Sequence, residues 1–165
     1  MIEIYTVGYE KFTAGDFTVR LSRSAVEHVV DVRELPISRK KGFAKNALRA
    51  ALEENGIGYS HAQYFGCPRP VRNAYRETND WSAYTVSFKH YIKTRHKELE
   101  ALGAAALECR LALLCLEDDY NFCHRTYVAE EMAAAMGEEV TIRHLTGPMK
   151  NRTAVVPALR CHQEV

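Results

Sequence analysis

Within Cys115–Arg125 the chain places two thiols, three carboxylates, an imidazole and a guanidinium directly after an apolar run. If Asn121 caps the helix that follows, Cys123, His124 and Arg125 occupy its first turn. The partial positive charge there favours an anion and depresses a thiol's pKa. Cys123 is then read as a nucleophile, His124 as a proton carrier near neutrality and Glu117 as a general base. The same turn with Arg125 also suits a bound phosphate. The competing reading is a small apolar thiol packed beneath a helix start. A phosphatase-type loop is excluded, because Cys115 and Arg125 lie ten positions apart across a segment without glycine and with three carboxylates. Cys115, Cys123 and His124, with His61 or Glu117, are acceptable zinc ligands, but no Cys-x-x-Cys or His-x-x-x-His pair supports them, so no metal is expected.

A second constellation begins at Asp31. Arg33, Arg39, Lys40 and Lys41 follow in one loop, Lys45 and Arg49 continue it, and Arg69, Arg72 and Arg76 form another basic segment. Phe43, Tyr64, Phe65 and Tyr75 lie between them. Substrate or anion contacts are therefore assigned to Asp31, Arg33, Arg39, Tyr75, Arg76 and Arg125. A nucleotide or nucleic acid is the expected partner if the two basic segments meet. Alternatively they are solvated loops, and Asp31 and Arg33 simply pair. No Gly-x-Gly-x-x-Gly or Walker-type loop is present, so no cofactor is expected.

These residues need elements to position them. Strands are predicted over 2–7, 27–32, 57–60, 110–115 and 140–144. Helices are predicted over 12–22, 44–55, 81–107 with a break near Gly103, and 122–136 with Phe122 inward. Residues 62–78, with two prolines and three arginines, read as loop. Alternating strands and helices imply a three-layer, Rossmann-like α/β domain with a mostly parallel sheet of about five strands. One domain spanning 1–165 is expected, with a core at about 2–145 and an irregular tail over 146–165. Ligands of such sheets bind at the carboxyl ends of the strands, which is where these polar groups fall.

The 165 residues are 47% hydrophobic and 26% charged with net charge +1, values ordinary for a soluble domain and unlike a protein binding by bulk charge. No apolar run spans a bilayer and no signal peptide opens the chain, so a cytoplasmic location with reduced thiols is expected. Oligomeric state is not readable.

Ile4-Tyr5-Thr6-Val7-Gly8, Asp31-Val32-Arg33 with Pro36, Ser38-Arg39, Gly42-Phe43, Tyr59, Gly66, Tyr75-Arg76, Cys115 with Glu117, and Cys123-His124-Arg125 together resemble the bacterial and archaeal domain-of-unknown-function family 488. The match runs in order from about residue 4 to 144. Gly8-Tyr9-Glu10 departs from the family's Gly-His-Ser-like start, and Phe65-Gly66-Cys67 replaces a Leu-Gly-Gly-like turn. The resemblance implies a shared α/β domain and polar cleft, and carries no reaction with it. Three functions stay open: an enzyme acting on a nucleotide or nucleic-acid-linked anionic substrate, a non-catalytic nucleic-acid or anion binding module, and a thiol redox or metal sensor.

Overall fold

A computed structural model describes residues 1–147. The sequence expected to be irregular beyond Gly147, with Cys161, lies outside the described residues. Five strands, β1 (Ile2–Gly8), β2 (His28–Asp31), β3 (Gly58–His61), β4 (Leu111–Cys115) and β5 (Val140–Leu145), form one all-parallel sheet in the order β3-β2-β4-β1-β5. Side chains alternate between its faces, as a pleated strand requires. Ile4, Leu111, Leu113 and Cys115 belong to one apolar cluster; Tyr5, Val7, Ala112 and Leu114 belong to the other. Helices α1 (Ala14–Arg23) and α2 (Lys45–Glu54) cover the second face through Phe17, Leu21, Leu48 and Leu52. Helices α4 (Trp81–Lys93), α5 (His96–Glu108) and α6 (His124–Met136) cover the first through Phe88, Ile92, Leu99, Val128 and Met132. This is the expected three-layer α/β architecture.

The strand order follows from handedness. From β1 to β3 the chain moves across the sheet over one face; from β3 to β5 it moves back and uses the other face. Right-handed crossovers require that change of face with direction. β4 thus lies between β1 and β2, two strands whose following helices leave on the opposite side. A crevice opens at such a reversal, above the carboxyl end of β4. Cys115 ends that strand.

Three expectations are corrected. The segment read as loop contains α3 (Arg69–Thr78), introduced by Pro68 and Pro70 at its start. Proline is tolerated in a first helical turn because the N–H it lacks has no intrahelical partner there. The long helix breaks at Thr94–Arg95 rather than near Gly103. Thr94 Oγ1 bonds the Tyr91 carbonyl at 2.7 Å there. Gly103 instead lies inside α5, where a Cβ would come within 2.7 Å of Met136 Cγ, so its bareness lets α5 approach α6. Finally, α6 starts at His124 with Cys123 in the cap position, while Phe122 sits in a preceding 3-10 turn and is 53% exposed rather than inward.

Candidate functional site

The loop from β4 to α6 is held from below. Tyr9 N–H donates to the Cys115 carbonyl at 3.2 Å and Glu10 N–H to the Leu116 carbonyl at 2.9 Å, extending the β1–β4 pairing past the sheet edge. A Cβ on Gly8 would lie 1.7 Å from the Glu117 carbonyl oxygen, so only glycine lets this loop settle on β1. Arg125, with 0% of its surface exposed, points inward along the same loop. It donates to Thr6 Oγ1 at 3.3 Å, to the Glu117 carbonyl at 2.5 Å and to the Asp118 carbonyl at 3.2 Å. Asp118 accepts from Gly147 N–H at 2.6 Å and pairs with Lys11 at 3.2 Å.

On this platform Cys115, Cys123 and His124 converge, all buried, their Sγ and ring-nitrogen atoms within 4.8 Å of one another. His124 Nε2–H donates to the Val32 carbonyl at 2.9 Å. That bond fixes the ring. Cys115 Sγ is 3.8 Å from Nδ1 and 4.0 Å from Nε2, and also bonds Glu117 Oε2 at 3.5 Å. Being almost equidistant from both nitrogens, Cys115 Sγ does not lie ahead of the Nδ1 lone pair. A zinc ion on Nδ1 would therefore sit well beyond the ~2.3 Å of a zinc–thiolate bond to Cys115. The arrangement suits a hydrogen-bonded thiol–imidazole group better than a tetrahedral metal set.

The charges sort accordingly. Burial, the largest influence on Cys123, raises its pKa, but bonds to Cys115 and His124 and the charges of His124 and Arg125 outweigh it and hold the thiol well below its usual range. The start of α6 acts in the same direction. Cys115 is pushed up, first by its bond to Cys123 and then by burial. Burial lowers the His124 pKa, but the bond to Cys123 and its negative charge reverse this and raise it. The downward shift of Cys123 and the upward shift of His124 both favour a proton on the imidazole over one on the Cys123 sulfur. Glu117 is pushed up to about 7, by burial first and then by the Cys123 charge.

A cavity of about 680 Å³ opens over this group. Glu117, Cys123 and His124 line it, together with Arg33, Tyr75 and Arg76 from the expected binding set. The remaining three of that set are placed elsewhere. Asp31 is fully buried and receives a two-pronged bond from Arg33, at 2.8 Å to Oδ1 and 2.6 Å to Oδ2, while Tyr59 donates to Oδ2 at 2.7 Å. Arg33 also donates to Tyr9 Oη and the Phe43 carbonyl, so protein partners hold its guanidinium, and the alternative reading, in which Asp31 and Arg33 pair with each other, is the arrangement that forms. Arg39 is exposed and does not border the cavity. Arg125 lies beneath the floor rather than in the opening. His61 donates to the Arg33 carbonyl at 2.7 Å and is likewise outside the cavity.

The opposite wall comes from α3. Arg69, Arg72, Asn73 and Arg76 line the cavity at helical spacings of three and four. Arg72 pairs with Glu34, whereas Arg69 and Arg76 have no ion-pair partner among the described residues. Tyr75, Trp81 and Tyr84 form an aromatic cluster beside them, with Trp81 stacked on Tyr84 at 4.4 Å and Phe122 at 5.5 Å from Trp81. The sequence names Arg69 and Arg72 only as members of a basic segment, and Asn73, Trp81 and Phe122 are not singled out there as binding residues. The spacing at 69, 72, 73 and 76 is a helical signal, but a polar one, and a search for apolar periodicity passes over it.

The architecture defines an α/β protein with a reversal-point crevice and two buried cysteines, Cys115 and Cys123, lining it. Over residues 14–132 the chain matches the family model described as Domain of unknown function DUF488, and it belongs to that family. No curated protein and no solved structure matches it.

Proposed function

We propose that the protein is an enzyme that hydrolyses a nucleotide or nucleic-acid-linked anionic substrate by nucleophilic attack from Cys123. The observation that supports this most directly is that Cys123, His124 and Glu117 face one cavity whose opposite wall carries Arg69, Arg72 and Arg76. A cysteine is a strong nucleophile only as its thiolate, and here His124, the helix start and Cys115 favour that form. Attack forms a bond from sulfur to the electrophilic carbon or phosphorus while the bond to the leaving group breaks. Glu117, which holds its proton to about pH 7, or His124 protonates the leaving group. Water then displaces sulfur, its proton returning to the same base. An N-glycoside and a phosphoester both fit this sequence. Arg33, fixed by Asp31, and Arg125, fixed by backbone carbonyls, act as positioning residues for the two loops.

The test is product analysis by mass spectrometry after incubation with a panel of nucleotides and short oligonucleotides. The wild type is expected to consume at least one, and Cys123→Ser to lose at least ~10²-fold of that rate. Equal turnover by Cys123→Ser, or no consumption of any panel member, rules the reading out. Binding without consumption would make the protein a non-catalytic module.

A further inference from the structure

Helix α3 buries none of its residues. Only Val71 and Tyr75 pack against an apolar cluster, both half-buried, and the arginine-bearing side of the helix forms a wall of the cavity. Its arginines at 69, 72 and 76 make a row whose ends are seven residues apart, roughly 10 Å at 1.5 Å per residue. One terminal phosphate needs one or two guanidinium groups at a single point; here Arg69 and Arg76, unpaired among the described residues, stand at the two ends of the row, spaced for two successive phosphates, while Arg72 between them is paired with Glu34. The row lies on an exposed helix open to solvent beyond the cavity, so a chain can continue past it. Aromatic faces accompany it: Tyr75 is on the same helix, Trp81 begins the next, and Phe122, 53% exposed, projects at the mouth. A basic track with interleaved aromatic platforms is the physical pattern of single-strand binding, in which phosphates take the cations and bases stack on rings. The mouth also carries Ile37, 73% exposed, and Leu35. These are apolar surfaces that an unstacked base covers and a bare phosphate does not.

We propose that the substrate is presented by a single-stranded nucleic acid, its phosphates along the Arg69–Arg72–Arg76 row and one base or nucleotide unit inside the cavity. This rests on the preceding reading of the site and narrows its substrate from a free nucleotide to a strand. The overall charge of +1 does not oppose it, because the attraction is concentrated on one helix. Glu34, which lines the same cavity, is neutralised by Arg72, and Glu77 is the one acid on α3 itself.

The test is fluorescence anisotropy of a fluorescein-labelled single-stranded oligonucleotide, as DNA and as RNA, titrated with the full chain from about 50 to 200 mM salt. The wild type is expected to bind the oligonucleotide more tightly than the matching nucleoside monophosphate. Arg69→Ala and Arg76→Ala should each flatten the slope of log K against log salt by about 0.7. Both positions are exposed, so the variants fold; thermal melting checks this. Oligonucleotide binding no tighter than the monophosphate, or a slope unmoved in both variants, overturns the inference. Cys123→Ser separates the two proposals. Strand binding retained by this variant, with wild-type turnover absent, supports the strand inference and sinks the catalytic reading. Cys123-dependent turnover of free nucleotides with no strand binding does the reverse.

Discussion

Glu117 keeps its proton to about pH 7 because burial and the Cys123 thiolate both oppose its ionisation, and this links its chemistry to stability. In the unfolded chain the carboxyl ionises near its ordinary value of 4.5. Between pH 4.5 and 7 the unfolded state has released the proton while the folded state still binds it, so the folded state loses stability as pH rises and reaches a plateau above 7. Glu117→Gln removes that loss. The variant should be more stable than the wild type at pH 8 by about 1–3 kcal/mol and match it most closely at pH 4, measured by urea unfolding at both values. An advantage independent of pH would mean that Glu117 ionises normally.

At the scale of elements, the β4–α6 loop is the part that must hold still, and Arg125 is what holds it. Its fork satisfies the Glu117 and Asp118 carbonyls and Thr6 from a fully buried position. Arg125→Met leaves those acceptors without donors and should cost about 2–5 kcal/mol in urea unfolding. Arg125→Lys should recover little, since one ammonium cannot reproduce a planar fork. A neutral Arg125→Met would show that the loop is anchored otherwise. The strands are the most legible elements: Leu111–Leu114 is a compact apolar run, and Val29–Val30 is a short one ending at the carboxylate of Asp31. The reading of α3 as loop misses a helix whose apolar side is short, Val71 and Tyr75 one turn apart, and whose prolines, read as breakers, sit at its start, where they promote a helix. The helix start at His124 was placed slightly early, because the chain between Asp119 and Phe122 forms its own 3-10 turn around an Asp119–Asn121 bond of 2.9 Å.

At the scale of the whole molecule, β2, β4, α3 and α6 deliver their groups to one cavity, because the sheet reverses direction around β4. Sequence indicated that polar groups cluster at the strand ends. It did not indicate which guanidinium groups turn inward, because burial of Arg33 and Arg125 depends on long-range partners: Tyr9 and Phe43 for one, Thr6 for the other. Arginine type alone does not separate an anchor from a ligand-facing cation, whereas the solvent-facing row on α3 does. Together these elements should produce an ionised sulfur that reagents reach from the cavity. The pH dependence of iodoacetamide alkylation of the folded protein, resolved by residue with mass spectrometry, measures this. Cys123 should be modified at pH 7 ahead of Cys67, Cys109 and Cys115, whose thiols are all held above their ordinary value. Modification of Cys123 only above about pH 9, the ordinary range of a thiol, or only after unfolding, would contradict it.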